Sequence, residues 1–316
     1  MVKLGIVGNG VDLALKLGTS LKEDFPKFVS EYGEGGFLTN LYFNDNKNLW
    51  GEFETRVGII GEEFARIIGS ESKSEKEILH SIGREQSFLE KEIEDQGYGE
   101  LEIENVAVDH VRANFSLENI SEVTEINEAN KIIDSALSEM VTAANKKIET
   151  YSYKNIDEIL ECDWFINFNY TYTLEELNVP KNRILYLHGN LEEELIWGNT
   201  VDNVMDKNNW KLMGDDYLTA GAYKYFREKH IENTAKKLQI EKMDTFLEKI
   251  NNEIDEIYVL GHSVSEPDIE YFRDLDASFP EAKWFVYNTD ETVCDNLKTI
   301  GINSEYRGKL SVDVIQ

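Results

Sequence analysis

Four short groups of residues carry the side chains and the backbone freedom that chemistry requires, and each directly follows a short apolar run. The first is Gly8-Asn9-Gly10-Val11-Asp12. Glycines there let the chain turn sharply and approach a ligand closely. A helix starting near Asp12 would aim its first amides at a phosphate. The spacing is an incomplete dinucleotide fingerprint, because Leu13 stands where the third glycine belongs. An ordinary strand-to-helix turn is the alternative, with Asp12 as a helix cap.

The second group is Asn167-Phe168-Asn169-Tyr170-Thr171-Tyr172-Thr173-Leu174-Glu175. Amides and hydroxyls at a strand end suit ligand binding, and they equally suit turn formation and helix capping. The third is Leu187-His188-Gly189-Asn190. Histidine as a residue type changes charge near neutrality, so His188 is a candidate general base, with a purely structural histidine as the alternative. The fourth is Gly261-His262-Ser263-Val264-Ser265-Glu266-Pro267-Asp268. It is not a nucleophile elbow, because Ser265 replaces the second glycine. His188 and His262 lack a third partner at metal-ligand spacing, so no metal is expected.

These groups need strands that end at a common edge. The runs Val2–Val7, Trp164–Ile166, Ile184–Leu187, Leu195–Trp197, Glu256–Leu260 and Trp284–Tyr287 read as strands. Several show little polar alternation, as strands buried on both faces do. With helical stretches between them, they predict an α/β fold built on a mostly parallel, doubly wound, Rossmann-like sheet. In such a sheet the four groups converge on one crevice beyond the strand ends.

Between the first and second of these strands the pattern is helical. Leu49, Phe53, Val57, Ile60, Phe64 and Ile67 recur at helical steps, as do Ile78, Ile82, Leu89 and Ile93, and Ile132, Ile133, Ala136, Leu137 and Met140. Residues 71–130 hold 16 acidic against five basic side chains, which reads as a solvated helical face. Residues 1–39 and 151–316 therefore form the expected nucleotide-binding domain, and 40–150 a helical insertion. A second insertion is expected near 202–252, ending in an amphipathic helix with Ile231, Ala235, Leu238, Met243, Phe246, Leu247 and Ile250.

The chain has 316 residues and a formal net charge of -29, from 61 acidic and 32 basic side chains. Such a field repels nucleic acid and anionic lipid surfaces, although backbone amides still bind a small anion locally. Cys162 and Cys294 form neither a disulfide framework nor a CxxC pair. With no secretory leader and no long apolar span, the expectation is a cytoplasmic protein without membrane contact.

In combination these motifs resemble the AbiH family of bacterial abortive-infection proteins. The resemblance rests on Gly8-Asn-Gly-Val-Asp-Leu-Ala14 with Leu17-Gly-Thr-Ser20, on Leu49-Trp-Gly-Glu-Phe-Glu54, on Phe168-Asn-Tyr-Thr-Tyr-Thr-Leu-Glu175, on His188-Gly189, and on Gly261-His-Ser263 with Asp268. Lys16-Leu17-Gly18 departs from the Gly-Leu-Pro common before Thr-Ser in that family. A more distant similarity is to sirtuin-like NAD-binding domains of bacterial defence proteins, which carry Gly-Ala-Gly, Asn-Tyr-Asp with a following Glu, Leu-His-Gly and Gly-x-Ser with a trailing Asp in the same order. Two residues differ: Thr171 stands in place of the Asp, and Asn9 in place of the Ala.

The resemblance implies NAD as ligand or substrate, with hydrolysis of its N-glycosidic bond. Asn169 and His188 take the catalytic positions. Gly8, Asn9, Gly10, Asp12, Thr19 and Ser20 would contact the nucleotide from the first loop, and Asn167, Thr171 and Gly189 from the middle of the chain. Gly261, His262, Ser263 and Asp268 complete the set, Ser263 and Asp268 at the adenosine end. A nucleotide-sensing module without turnover is the alternative. A nuclease-type toxin lacks the expected carboxylate–metal cluster. The expected partners are a small nucleotide, and a second copy of the chain or a partner protein of a defence system.

Overall fold

A computed structural model describes residues 1–32, 121–154, 161–198, 235–250, 254–289, 291–310 and 312–315. Its centre is a six-stranded sheet of β1 (Lys3–Val7), β3 (Trp164–Asn167), β4 (Ile184–Tyr186), β5 (Glu256–Leu260), β6 (Lys283–Tyr287) and β7 (Ser304–Gly308). All neighbours are parallel, in the order β4-β3-β1-β5-β6-β7. From β1 the chain builds outward to β4, then returns to β1's other side and builds outward to β7. This is the Rossmann strand order, with its switch point between β1 and β5. A separate antiparallel pair joins β2 (Ser152–Lys154) to β8 (Asp313–Ile315).

The register places the strand ends in one row. Val7 lies beside Asn167 and Leu260, Asn167 beside Tyr186, and Leu260 beside Tyr287. Everything immediately after these residues therefore emerges along one edge.

The helices cover both faces. They are α1 (Asn9–Ala14), α2 (Phe25–Glu31), α3 (Ser121–Ile148), α4 (Thr173–Glu176), α5 (Ile240–Glu248), α6 (Ile269–Ser278) and α7 (Thr292–Thr299). Strand residues alternate between two cores. Leu4, Ile6, Ile166 and Val259 face α5 and α6 through Met243, Phe246, Tyr271 and Phe272. Val7, Phe165, Ile184 and Leu260 face the other way, onto Val11 and Leu15 and onto Ala144 and Ile148 of α3. Along α3, Ile133, Ala136, Leu137, Met140, Val141, Ala144 and Ile148 are buried at steps of three and four. The C-terminal end of α3 is thus part of the sheet's core.

Several expectations change. Leu195–Trp197 is not a strand. Its one backbone tie among the described residues is Ile196 N–H to the His188 carbonyl, 2.8 Å, and Trp197 serves the cleft wall instead. β7 was not anticipated, because Ser304-Glu-Tyr-Arg-Gly308 alternates polar residues as a solvated edge strand does. The helix expected near 231–250 begins only at Ile240, and Ile231 lies outside the described residues. The helical patterns at 49–67 and 78–93, like the acidic stretch up to 120, also lie outside them. No helix among the described residues is long and apolar enough to cross a membrane. Both cysteines are free thiols, and burial pushes the Cys162 thiol up to about 12, which makes it a poor nucleophile.

Candidate functional site

Beyond the strand ends lies a cleft of about 440 Å³. Its floor is the meeting of two turns. The Gly8 amide donates to the Leu260 carbonyl at 3.0 Å, and the Gly10 amide to the Gly261 carbonyl at 2.8 Å. A Cβ on Gly8 would sit 2.6 Å from the His262 Cα, and one on Gly10 would sit 2.7 Å from the Gly261 Cα. Gly261 itself has φ +63°, which favours glycine. These glycines let β1 and β5 interlock at the switch point. The Gly8 and Gly10 amides donate within that contact, while both residues still line the cleft.

The helix after β1 starts at Asn9, earlier than expected, and Gly8 is its N-cap. Asp12 therefore lies inside α1 and caps nothing. Asn9 clasps the loop that follows: its Nδ2 donates to the Thr19 carbonyl at 2.9 Å, and its Oδ1 accepts the Thr19 hydroxyl at 2.7 Å. The polar side chain that departs from the sirtuin-like pattern thus fixes Thr19 at the cleft rim, and the next residue, Ser20, donates its amide to Asp24 Oδ2 at 3.1 Å.

Asp12 is buried. Its Oδ2 accepts the Thr171 hydroxyl and its Oδ1 the Thr173 hydroxyl, each at 2.7 Å. The two hydroxyl oxygens are 2.9 Å apart. Burial raises the Asp12 carboxyl to about 6, against the opposing hydrogen bonds from Thr171, Thr173 and Asn169. Asn169 is anchored at the centre: its Nδ2 donates to the Gly8 carbonyl at 3.0 Å, and its amide N–H to Asn167 Oδ1 at 3.0 Å. Asn167 is fully buried and positions Asn169 from behind the cleft wall.

The opposite end is ionic. Asp268, on the short 3-10 turn Glu266–Asp268, accepts the Lys236 ammonium at Oδ1, 2.8 Å away. His188 Nε2 lies 3.3 Å from the same oxygen, and His262 Nε2 lies 3.4 Å from Oδ2. Burial opposes charge on Asp268. The Lys236 ammonium, with help from His188 and His262, nevertheless holds its carboxyl well below the usual carboxylate range. His262 Nδ1 accepts the Val264 amide at 2.9 Å, so its neutral ring carries the proton on Nε2, facing Asp268. Val264 pays with φ +51°, an uncommon conformation for a β-branched residue. The Phe168 ring packs between the two histidines, with centroids 5.0 Å from His188 and 4.4 Å from His262.

The 3.3 Å contact sets the Asp268 carboxylate beside the His188 ring, and a histidine next to an ionised carboxylate is a candidate general base. Among the described residues no group of three His, Cys, Asp or Glu side chains is arranged to hold a metal ion. The Lys236 ammonium supplies the positive charge beside Asp268.

Of the residues singled out from sequence, Gly8, Asn9, Gly10, Asp12, Thr19, Ser20, Asn169 and Thr171 line the cleft on one side. His188, Gly261, His262, Ser263 and Asp268 line it on the other. Two do not line it. Asn167 lies behind the wall, and Gly189, with φ +78°, packs where a Cβ would meet the Glu194 carbonyl at 2.0 Å. Asp268 lines the cleft with its oxygens in contact with Lys236 and the two histidines. The residue-by-residue reading missed Lys236, which carries no local signal within Ala235-Lys-Lys237. It also missed Phe168, although that residue sits inside the quoted motif, and the wall built by Leu137, Met140, Val141, Tyr170 and Trp197. Tyr170 and Trp197 are held by hydrogen bonds to the Ile196 carbonyl, 2.9 Å, and to Asp134, 2.5 Å.

No curated protein and no solved structure matches this chain. The family model for bacteriophage abortive infection AbiH matches residues 4–288. That range runs from β1 through β6 and takes in every residue that lines the cleft except Thr289, and on this match the chain belongs to the AbiH family of bacteriophage abortive-infection proteins.

Proposed function

We propose that this chain serves phage abortive infection by binding NAD, or a closely related nucleotide, in the cleft at the switch point and hydrolysing its N-glycosidic bond. The observation that carries the reading is the sharing of one cleft by an anchored amide, Asn169, and a histidine, His188, whose Nε2 lies 3.3 Å from a carboxylate held ionised.

Cleavage of an N-glycosidic bond passes through an oxocarbenium-like state, as glycoside hydrolysis does. The site has to orient the ribose, restrict water and remove one proton. Asn169, fixed by the Gly8 carbonyl and Asn167, orients a ribose hydroxyl or the attacking water. His188 takes the proton from that hydroxyl or water, and Asp268 stabilises the imidazolium that forms. The apolar wall of α3 with Tyr170 and Trp197 gives a flat aglycone a dry face. Thr19, placed by Asn9, together with Ser20 and Ser263 offers polar contacts to the rest of the ligand.

The test mixes purified protein with NAD and follows nicotinamide release, with Asn169→Ala and His188→Ala in parallel. Removing the base is expected to slow release by about a hundred- to ten-thousand-fold. Equal release from all three proteins overturns both roles.

A sensor without turnover is the second reading. It is favoured by Thr171, whose hydroxyl is given to Asp12, so that position 171 presents no carboxylate to the ligand. Thermal stabilisation by NAD without nicotinamide release would decide for it.

A further inference from the structure

The three oxygens of Asp12 Oδ2, Thr171 Oγ1 and Thr173 Oγ1, closed through Asp12 Oδ1, form a ring with contacts of 2.7, 2.9 and 2.7 Å. Each contact is short enough to hold a proton. Each threonine brings one hydroxyl proton. A protonated Asp12 brings the third and satisfies the ring: Asp12 donates to Thr171, Thr171 to Thr173, and Thr173 back to Asp12. An ionised Asp12 leaves the ring one proton short. Both hydroxyls then point at the carboxylate, and the lone pairs of the two threonine oxygens face each other at 2.9 Å. Of the two threonines, Thr171 lines the cleft. No cation among the described residues pairs with Asp12.

We propose that the Asp12–Thr171–Thr173 ring is the subsite for a hydroxyl group of the ligand, a sugar hydroxyl, which donates its proton to Thr171 Oγ1 when Asp12 is ionised. The inference rests on reading the cleft as a nucleotide site and adds which part of the nucleotide lies at this end. The buried charge attracts an O–H donor and repels a phosphate, which offers only acceptor oxygens at neutral pH. The ligand's sugar therefore faces α1, and its phosphates lie away from Asp12. The ring's balance moves near neutrality, since burial raises Asp12 to about 6. Hydroxyl binding and proton release from Asp12 are then linked: the ligand tightens as pH rises through that value, and it lowers the value as it binds.

Tyr186 on β4 is pushed up by burial and by Glu175, to which it donates, and stays neutral. On α3, Leu137, Met140 and Val141 in the cleft wall and Asn145, which accepts the Tyr172 amide, carry no charge. Lys22 lines the cleft from the loop before α2, and His188, His262 and Asp268 line its other end. His188 and His262 share the cleft with Asp12, so the Asp12 carboxyl is followed directly.

Two measurements test the proposal. The first needs no ligand. The Asp12 carboxyl carbon is followed by NMR from pH 4 to 8 in aspartate-labelled protein and assigned with Asp12→Asn. A midpoint near 6 that rises in both Thr171→Val and Thr173→Val is expected. A midpoint in the ordinary aspartate range, or one that neither variant moves, overturns the ring. The second measures calorimetric affinity for two probes, NAD and adenosine, which has the sugar hydroxyls without phosphate or nicotinamide. Binding is expected to tighten about tenfold from pH 5 to 7 in the unaltered protein. It should be weaker and lack that Asp12-linked step in Asp12→Asn and Thr171→Val. Pure loss of affinity with the step intact would mark a merely structural role and overturn the subsite, as would binding of neither probe. Adenosine binding with the step, and no NAD binding, removes NAD as ligand and leaves the hydroxyl subsite standing.

Discussion

Asp12 and Asp268 are 1% and 4% exposed, and both line the same cleft, yet their surroundings are opposite. Asp12 meets neutral groups, Thr171, Thr173 and Asn169, and its proton is held up to about 6. Asp268 meets an ammonium and two imidazoles and stays charged. Two carboxyls with affinities pushed apart can divide acid–base work between them. Here the two differ in what they hold: Asp12 keeps its proton up to about 6, and Asp268 stays ionised. Burial alone does not decide which; the partners do.

The comparison can be broken most forcefully at the ionic end. Asp268→Ala strands the Lys236 ammonium, whose side chain is fully buried, and should destabilise the fold by about 3–5 kcal/mol. Denaturant unfolding at pH 7 checks this, and a loss below about 1 kcal/mol would mean that Lys236 relaxes to water. At the neutral end the effect is a pH slope. The folded Asp12 value, about 6, lies above its ordinary 3.8, so the native state binds the extra proton between them. Its contribution is full below pH 3.8 and is lost as pH rises through 6, a change of about 3 kcal/mol. Asp268 has the opposite sign: its contribution is present above its ordinary value and fades only as pH falls toward its depressed one. Stability of Asp12→Asn between pH 4 and 7 should lack the Asp12 slope, and an unchanged slope would end the contrast. Thr173→Val removes one donor to Asp12 and should cost about 2 kcal/mol at pH 8, and less at pH 5, where the charge is gone. Asn9→Ala should cost about 1 kcal/mol and speed amide exchange at Thr19 and Ser20, without moving either carboxyl.

Much of this contrast was legible as residue types but not as partnerships. The strands before Gly8, Asn167, His188 and Gly261 announce themselves as apolar runs, and the switch-point rule gathers their ends. Asn169 and His188 follow from that. Lys236 does not, because its meaning comes from a contact with Asp268, 32 residues later, and a lysine beside another lysine looks like a solvated surface. The opposite error occurred at Leu195–Trp197, where an apolar run that reads as a strand makes part of a cleft wall. Thr171 was legible only as an absence, a carboxylate missing from a pattern. Its hydroxyl is in fact bound to a carboxylate that comes from α1.

The interlocked glycines have a consequence for how substitutions combine. Gly8, Gly10 and Gly261 share one backbone-to-backbone approach, with would-be Cβ contacts of 2.6 and 2.7 Å. An alanine at any one of them has to part the same two turns. Once Gly10→Ala has done so, Gly8→Ala should add little, so that the double variant falls well short of the sum of the singles. Gly8 and Gly10 are in that sense one constraint read twice, whereas Gly261 keeps a second requirement of its own, its φ of +63°.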